Sequence, residues 1–378
     1  MNIFGTQQSP ILVFTNLVAI AYLYFTLKPS LINSKYISER RLLFTKVLML
    51  LFCLFSFWGT DWYGYLSYFD SVKSGWGDHV QMETIYIWLM EILPSYILFR
   101  LVVWGSSLLL LFKTVSNFGI NNRLFFFFFC SISLIWFAYA RASLAMSLLF
   151  CGVSYILKGR QYSARRTLSI TIGIALILCS FYFHKSAVIG IAAIALAVVL
   201  SKIGTRKGIR LLLFSFPFIV LSVKSVFSDI LYNITIDDTN LLNEYAVAGS
   251  SHLDSTKSAQ GIGIMIEHFL EWFPSYLLVY ICYRVLSKKQ NIPENISLLM
   301  YSLCSIVFVS SIFAFDLGAN TQTLYVRMMR YAQIPLCICL SYLYENNLYK
   351  KQVKWVYTIG IAGCFYAITY MLYNIIVG

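Results

Sequence analysis

Charge is what this sequence is short of. Only 12% of its 378 residues are Asp, Glu, Lys or Arg, against roughly a quarter in a soluble domain. No stretch is both long and polar enough to form a separate soluble unit, so residues 1–378 read as a single transmembrane domain. Familiar catalytic signatures are missing too. There is no GxxxxGK[ST] and no GxGxxG at the head of a helix, which removes the common nucleotide-binding loops. HExxH is absent and the four histidines are scattered, which speaks against a zinc centre. GxSxG is absent, and without an Asp-x-Asp cluster no metal and no other cofactor is expected. The nine cysteines contain no CxxC pair. All fall in apolar runs and read as small hydrophobes, not as a disulfide framework.

What fills the sequence instead is apolar surface, with 59% hydrophobic residues and a mean hydropathy of +0.72. Crossing a bilayer core takes about 20 helical residues at roughly 1.5 Å each. Twelve runs approach that length: Ile11–Leu27, Leu42–Trp58, Ser95–Phe112, Leu124–Tyr139, Ala142–Leu157, Thr167–Phe183, Ser186–Leu200, Ile209–Phe227, Trp272–Leu286, Ile296–Phe315, Met328–Tyr344 and Trp355–Val377. The expected fold class is therefore all-α, a polytopic integral membrane protein with about twelve transmembrane helices. The first run lacks a basic flank and a small-residue cleavage site, and is expected to stay as a helix.

The net charge is +13, and its distribution gives an orientation. Lys and Arg gather in alternate connections: Lys28 to Arg41, Lys113 and Arg123, Lys158 to Arg166, Lys202 to Arg210, Arg284 to Lys289, and Lys350 to Lys354. By the positive-inside rule these face the cytoplasm, which places both termini outside. Such short clusters leave no continuous basic surface for nucleic acid. Two outer loops are longer than a turn, 59–94 and 228–262. The first is rich in Trp, Tyr, Gly and Asp and leads into Glu83–Leu93, an amphipathic segment suited to lie along the interface. The second, Ser228–Ile262, reads as a polar connection or as a lid.

Charged residues at the edge of a span need a reason to be there. The outer edge carries Arg100, Arg141, His184, Lys185, Arg327 and Arg330, with Asp61 and Glu83 in the first outer loop. Each arginine alone reads equally as a side chain snorkelling to the headgroups. Several on the side that the positive-inside rule disfavours call for an anionic partner. Arg327, Arg330 and Tyr331 are spaced to share one helical face, and planar guanidinium forks suit a diphosphate. His184 reads as a general base or as a donor to phosphate. Asp61 and Glu83 are the candidate acids, either to take a proton or to hold an arginine.

The order of elements resembles the EpsG-like branch of Wzy-type bacterial polysaccharide polymerases. Gly59–Thr60–Asp61–Trp62–Tyr63–Gly64–Tyr65 is similar to that family's Asp- and Tyr-rich outer loop, with Glu83 and Tyr86 following. Arg141–Ala142–Ser143–Leu144–Ala145 resembles its Arg-x-x-Leu-Ala helix start, and Phe183–His184–Lys185–Ser186–Ala187 its His-x-Ser-Ala element. Arg327, Arg330 and Tyr331 are similar to its late arginine and tyrosine. The resemblance implies a GT-C-like membrane glycosyltransferase in the bacterial inner membrane with an outward-facing site. It would join oligosaccharide repeat units carried on undecaprenyl diphosphate, both donor and acceptor being lipid-linked, with a chain-length regulator as a candidate partner. Under that reading Arg141, Arg327, Arg330 and Lys185 bind the diphosphate. Tyr65, Tyr331 and Arg100 contact substrate, and Glu83, Asp61 or His184 takes the proton. An O-antigen ligase would use the same donor with another acceptor. A flippase for the lipid-linked sugar would need charges lining a path through the bilayer, and here they collect at the two faces. A membrane acyltransferase would need an acyl-donor site that the sequence does not display.

Overall fold

The computed structural model describes residues 10–28, 38–55, 61–75, 82–137, 140–161, 166–204, 207–208, 262–288, 291–314 and 328–377. Among them every regular element is helical. That is the expected outcome for apolar segments, which in a hydrocarbon medium must pair every backbone N–H and C=O within themselves. In chain order the helices are α1 (Pro10–Leu27), α2 (Glu39–Phe55), α3 (Asp61–Lys73), α4 (Thr84–Ile92), α5 (Tyr96–Phe118), α6 (Asn122–Phe128), α7 (Leu134–Phe137), α8 (Ala140–Gln161), α9 (Arg166–Phe183) and α10 (Ala187–Ile203). They continue with α11 (Ile262–Ser287), α12 (Glu294–Ala314), α13 (Gln333–Glu345) and α14 (Lys350–Val377). Helices overlap every expected apolar run except Ile209–Phe227, which lies outside the described residues, as does most of the loop 228–262; the runs Leu124–Tyr139 and Met328–Tyr344 are each divided among shorter elements. Among the described residues, four helices are long and apolar enough to cross a membrane: Tyr96–Phe118, Ala140–Gly159, Arg166–Phe183 and Glu294–Ser311.

The chain forms two compact units. One contains Met1–Ile191 and Leu336–Gly378, the other Ala192–Pro335. In the first unit, local sequence sets where helices begin and end. Ser95 caps α5 by accepting from the Leu98 N–H at 3.3 Å, and Gly119 ends it in the left-handed conformation (φ 68°). Asn121 then caps α6 through the N–H groups of Arg123 and Leu124. These are the side-chain oxygen and glycine that helix termini call for. Between α6 and α7 the backbone widens into a π-helical turn, Phe129–Ser133. Gly360 of α14 backs directly onto Ile132 of that turn, and Phe125 to Phe129 are all fully buried. The phenylalanine run is therefore an internal packing surface.

The polar pairs of the unit fall at two distinct ends. At one, Arg123 at the start of α6 meets Glu39 at the start of α2 at 2.6 Å. Lys158, late in α8, donates to Asn117, late in α5, at 3.3 Å. At the other end, Arg100 near the start of α5 is buried against the end of α2. Its Nε donates to the Leu54 carbonyl at 2.9 Å and its Nη2 to the Cys53 carbonyl at 2.7 Å. Both carbonyls belong to the last turn of α2, where no intrahelical partner remains, so a cation is well placed there. The polar residues taken up below lie at this second end.

The hairpin α8–α9 is the tightest contact of the unit. A Cβ built on Gly152 would lie 2.6 Å from the Gly173 carbonyl, and one on Gly173 2.6 Å from the Gly152 carbonyl. The two backbones touch where neither residue has a side chain, a packing mode that small residues permit between membrane helices.

In the second unit, α11 and α12 pack together, with Tyr276 and Ser311 hydrogen-bonded at 2.9 Å. Helix α11 begins at Ile262, well before the expected Trp272, and carries Pro274 inside it. The expected continuous run from Met328 to Tyr344 is interrupted: residues 328–330 are helical, Tyr331–Ala332 form a turn, and α13 starts at Gln333. Pro335 supplies the reason, since it has no N–H to give to the carbonyl of Tyr331.

The glycine crossing makes a sharp prediction. Gly152→Ala should lower stability in detergent by about 1–3 kcal/mol, the usual range for overpacking. Gly105→Ala, at a helical position with open space around it, should be neutral or slightly stabilising. Equal thermal midpoints for the two variants would refute the close crossing.

Candidate functional site

The hairpin carries two polar residues to one level. Arg141 precedes Gly152 by eleven positions, and His184 follows Gly173 by eleven. Because the helices are antiparallel and cross at those glycines, both residues end up about 16 Å from the crossing on the same side, at roughly 1.5 Å per residue. Arg141 lies in the first turn of α8. His184 follows α9 in the short turn to α10, its N–H donating to the Ser180 carbonyl at 3.1 Å.

Between them stands Glu83, the residue capping α4. Its backbone is extended (φ −61°, ψ 131°), and its carbonyl accepts from the Tyr86 N–H at 2.8 Å. The carboxylate takes Arg141 Nη1 on Oε2 at 2.9 Å and His184 Nδ1 on Oε1 at 2.8 Å. Arg141 Nε in turn donates to the Tyr65 hydroxyl at 2.6 Å, and the guanidinium lies 5.3 Å from the centre of the Tyr65 ring. Tyr86, fully buried one turn along α4, directs its hydroxyl at the Arg141 carbonyl at 3.5 Å. Its ring meets Phe99 and Phe183 edge-on, at 6.2 and 5.6 Å. Tyr86 thereby fixes α4 against α5, α8 and α9.

Exposure falls along this chain of contacts. The Arg141 side chain is 27% exposed, Glu83 10% and His184 7%. A carboxylate this enclosed survives only with its charge matched and its oxygens hydrogen-bonded. Burial pushes the Glu83 carboxyl up. The hydrogen bond from His184 and the charges of Arg141 and His184 outweigh burial and hold it at about 2, below its ordinary 4.5. A carboxylate only accepts, so His184 Nδ1 carries a hydrogen, and in the neutral ring the lone pair is on Nε2. The cluster can present a guanidinium to an anion and, beside it, a histidine whose orientation is set by a carboxylate.

The structure thus brings together Tyr65, Glu83, Arg141 and His184, each named from the sequence. Other candidates have different surroundings. Arg100 is committed to the α2 carbonyls and to the Tyr96 hydroxyl at 3.4 Å. Lys185 is exposed in the turn after His184. Asp61 opens α3, and its side chain lies outside the described residues, as does Arg327. Arg330 and Tyr331 belong to the second unit, where Arg330 is half-buried and Tyr331 buried. Two functions went unseen in the sequence, Tyr86 as a clamp and Tyr65 as the partner of Arg141. For Tyr86 a signal exists, since it stands one helical turn from Glu83 and so shares its face.

A sequence model of the EpsG family matches residues 40–377 of the chain. No curated protein and no solved structure matches it.

The depressed carboxyl links stability to pH with a definite sign. A group held below its unfolded value contributes fully above that value and loses its contribution as pH falls through the folded one. Wild-type protein should therefore lose about 3 kcal/mol as pH drops from about 4.5 to about 2, at roughly 1.36 kcal/mol per unit. Glu83→Gln should be less stable than wild type at neutral pH and lack this loss. Thermal unfolding of both proteins in detergent across that window is the check, and parallel pH profiles would contradict it.

Proposed function

The chain belongs to the EpsG family, and from that membership we propose that it is a membrane polysaccharide polymerase. It joins oligosaccharide repeat units carried on undecaprenyl diphosphate at the outer face of the bacterial inner membrane. The full chain would cross the membrane about twelve times in a GT-C-like arrangement. The observation that carries this reading is the Arg141–Glu83–His184 cluster at the end of the first unit remote from Arg123 and Lys158. If the basic connections face the cytoplasm, as the positive-inside rule has it, the cluster faces outward at headgroup depth. A lipid diphosphate presents its charge at that depth.

The reaction is a displacement at the anomeric carbon of the donor sugar. A hydroxyl of the acceptor unit attacks that carbon, the new glycosidic C–O bond forms, and the bond from carbon to diphosphate breaks. The electron pair leaves with the lipid diphosphate, and the hydroxyl proton goes to the enzyme. Arg141 is the residue we assign to the leaving group, because its guanidinium is the more exposed partner of the ion pair. Fixed positive charge aimed at a developing anion is a large electrostatic contribution to catalysis. His184 is the assigned proton acceptor through Nε2. Glu83, held ionised at about 2 with both oxygens engaged, is a weak base and serves to orient the ring. Tyr65 aligns the guanidinium through Nε. Asp61 remains a second candidate base from the sequence, and Arg327, Arg330 and Lys185 are proposed as further contacts for the diphosphate. Tyr331 is proposed as a contact for the sugar.

The test is the size distribution of surface polysaccharide from a strain lacking the gene, complemented with wild type or Arg141→Ala. The deletion should leave single repeat units. Arg141→Ala, at normal membrane levels, should polymerise about a hundredfold more slowly or worse, the usual effect of removing a group that stabilises the leaving charge. Loss of all repeat units from the surface would favour a ligase or flippase instead. An unchanged profile in the deletion would end the polysaccharide reading.

A further inference from the structure

Below the polar cluster the first unit has an apolar cavity of about 480 Å³, within the roughly 300–1,000 Å³ range of ligand sites. Its walls come from α4, α5, α8 and the last residue of α9, through Leu89, Val102, Ser106, Leu109, Leu144 and Phe183 among others. The one polar side chain in its lining is Ser106. Helices α5 and α8 both start at the cluster end, so the cavity runs away from the cluster between them. From Val102 to Leu110 it follows α5 for about 12 Å at roughly 1.5 Å per residue.

Three residues close in sequence tie cavity to cluster. Leu144 is one turn below Arg141, Leu89 one turn along from Tyr86, and Phe183 immediately precedes His184. Phe183 also packs edge-on against Tyr86 at 5.6 Å, so one ring belongs to both. The side wall is open: Leu109, in the lining, is 68% exposed. Helix α4 forms the ceiling with Leu89, while Trp88 and Ile92 of the same helix are exposed, as suits a short helix lying in the interface. An apolar trough open along its side and headed by a guanidinium matches an amphiphile with a long chain and an anionic head.

We propose that this trough seats the proximal part of the isoprenoid chain of the lipid diphosphate, with Arg141 at its head. The inference rests on the polymerase reading for the identity of the head, and adds where the chain lies. Bilayer lipid is as apolar as the trough, so little is gained from burial alone, and the contribution is one of placement. A chain held along α5 and α8 fixes the direction from which the diphosphate meets Arg141. That in turn sets the anomeric carbon beside His184.

Binding of undecaprenyl diphosphate to purified protein in phosphatidylcholine nanodiscs tests this, with wild type, Ser106→Trp and Arg141→Gln compared. Ser106→Trp fills the trough without touching the cluster and should weaken binding about tenfold or more, a loss readily resolved in a titration. Phosphatidylglycerol at equal concentration should not displace the ligand from wild type. If Ser106→Trp does not accumulate as folded protein, Leu109→Trp at the exposed rim decides the matter with the same expected loss. Wild-type affinity in the tryptophan variant, with weakened binding in Arg141→Gln, would overturn the trough and leave the function standing. Displacement by phosphatidylglycerol at equal concentration would also overturn it, making the trough a seat for ordinary bilayer lipid. No binding of undecaprenyl diphosphate by wild type would remove the functional reading, and the trough assignment with it.

Discussion

Much of the first unit is organised around the need to neutralise one carboxylate in a place where water is scarce. Glu83 cannot stay ionised at 10% exposure without partners, and the partners come from sequence positions far apart. Arg141 arrives on α8 and His184 at the end of α9, while Tyr65 of α3 binds the far side of the guanidinium. Each member would be expensive to bury by itself. Together they let α3, α4, α8 and α9 converge on one point. Taking out Glu83 would leave a guanidinium and an imidazole facing each other with no anion between, so the carboxylate is structural before it is anything else.

The same carboxylate separates two tasks that arginine and histidine must not share. A guanidinium keeps its charge under all physiological conditions and serves an anion. An imidazole is useful as a base only while one nitrogen has a lone pair. By accepting Nδ1–H on one oxygen and Arg141 on the other, Glu83 places fixed charge and exchangeable proton side by side with a defined orientation. Arg100 stands apart from this arrangement. It lies at the same end of the unit, yet its donors are spent on the carbonyls closing α2. Arginines at one membrane level can therefore have unrelated duties.

The sequence displayed this site unevenly, for physical reasons. Positive charge against the inside rule made Arg141 conspicuous, and a histidine between two apolar runs did the same for His184. Glu83 stood out as an acid at the head of an amphipathic segment. Helix class and approximate position were legible because runs of apolar residues near bilayer length have few alternatives to helix. Detail that depends on neighbours was not. The turn at Tyr331–Ala332 falls inside a run that reads as one span by its overall apolar character, although Arg330, Gln333 and Pro335 interrupt it. The use of Arg100 was invisible because the carbonyls it binds belong to the backbone of another helix. Gly152 and Gly173 each looked like an ordinary helix glycine, and their contact exists only once α8 is known to pair with α9.

That contact restricts how this hairpin can change length. Arg141 and His184 are each eleven residues from the glycine they count from, about three helical turns at roughly 3.6 residues each. One inserted residue on either limb would raise its polar group by about 1.5 Å and swing it by about 100° around the helix axis. The arginine or histidine would then point at a neighbouring helix or at lipid, even where the glycine crossing itself persists. Divergence in this segment should proceed by substitution and not by insertion or deletion. An added residue on the other side of the crossing, away from Arg141 and His184, alters neither count.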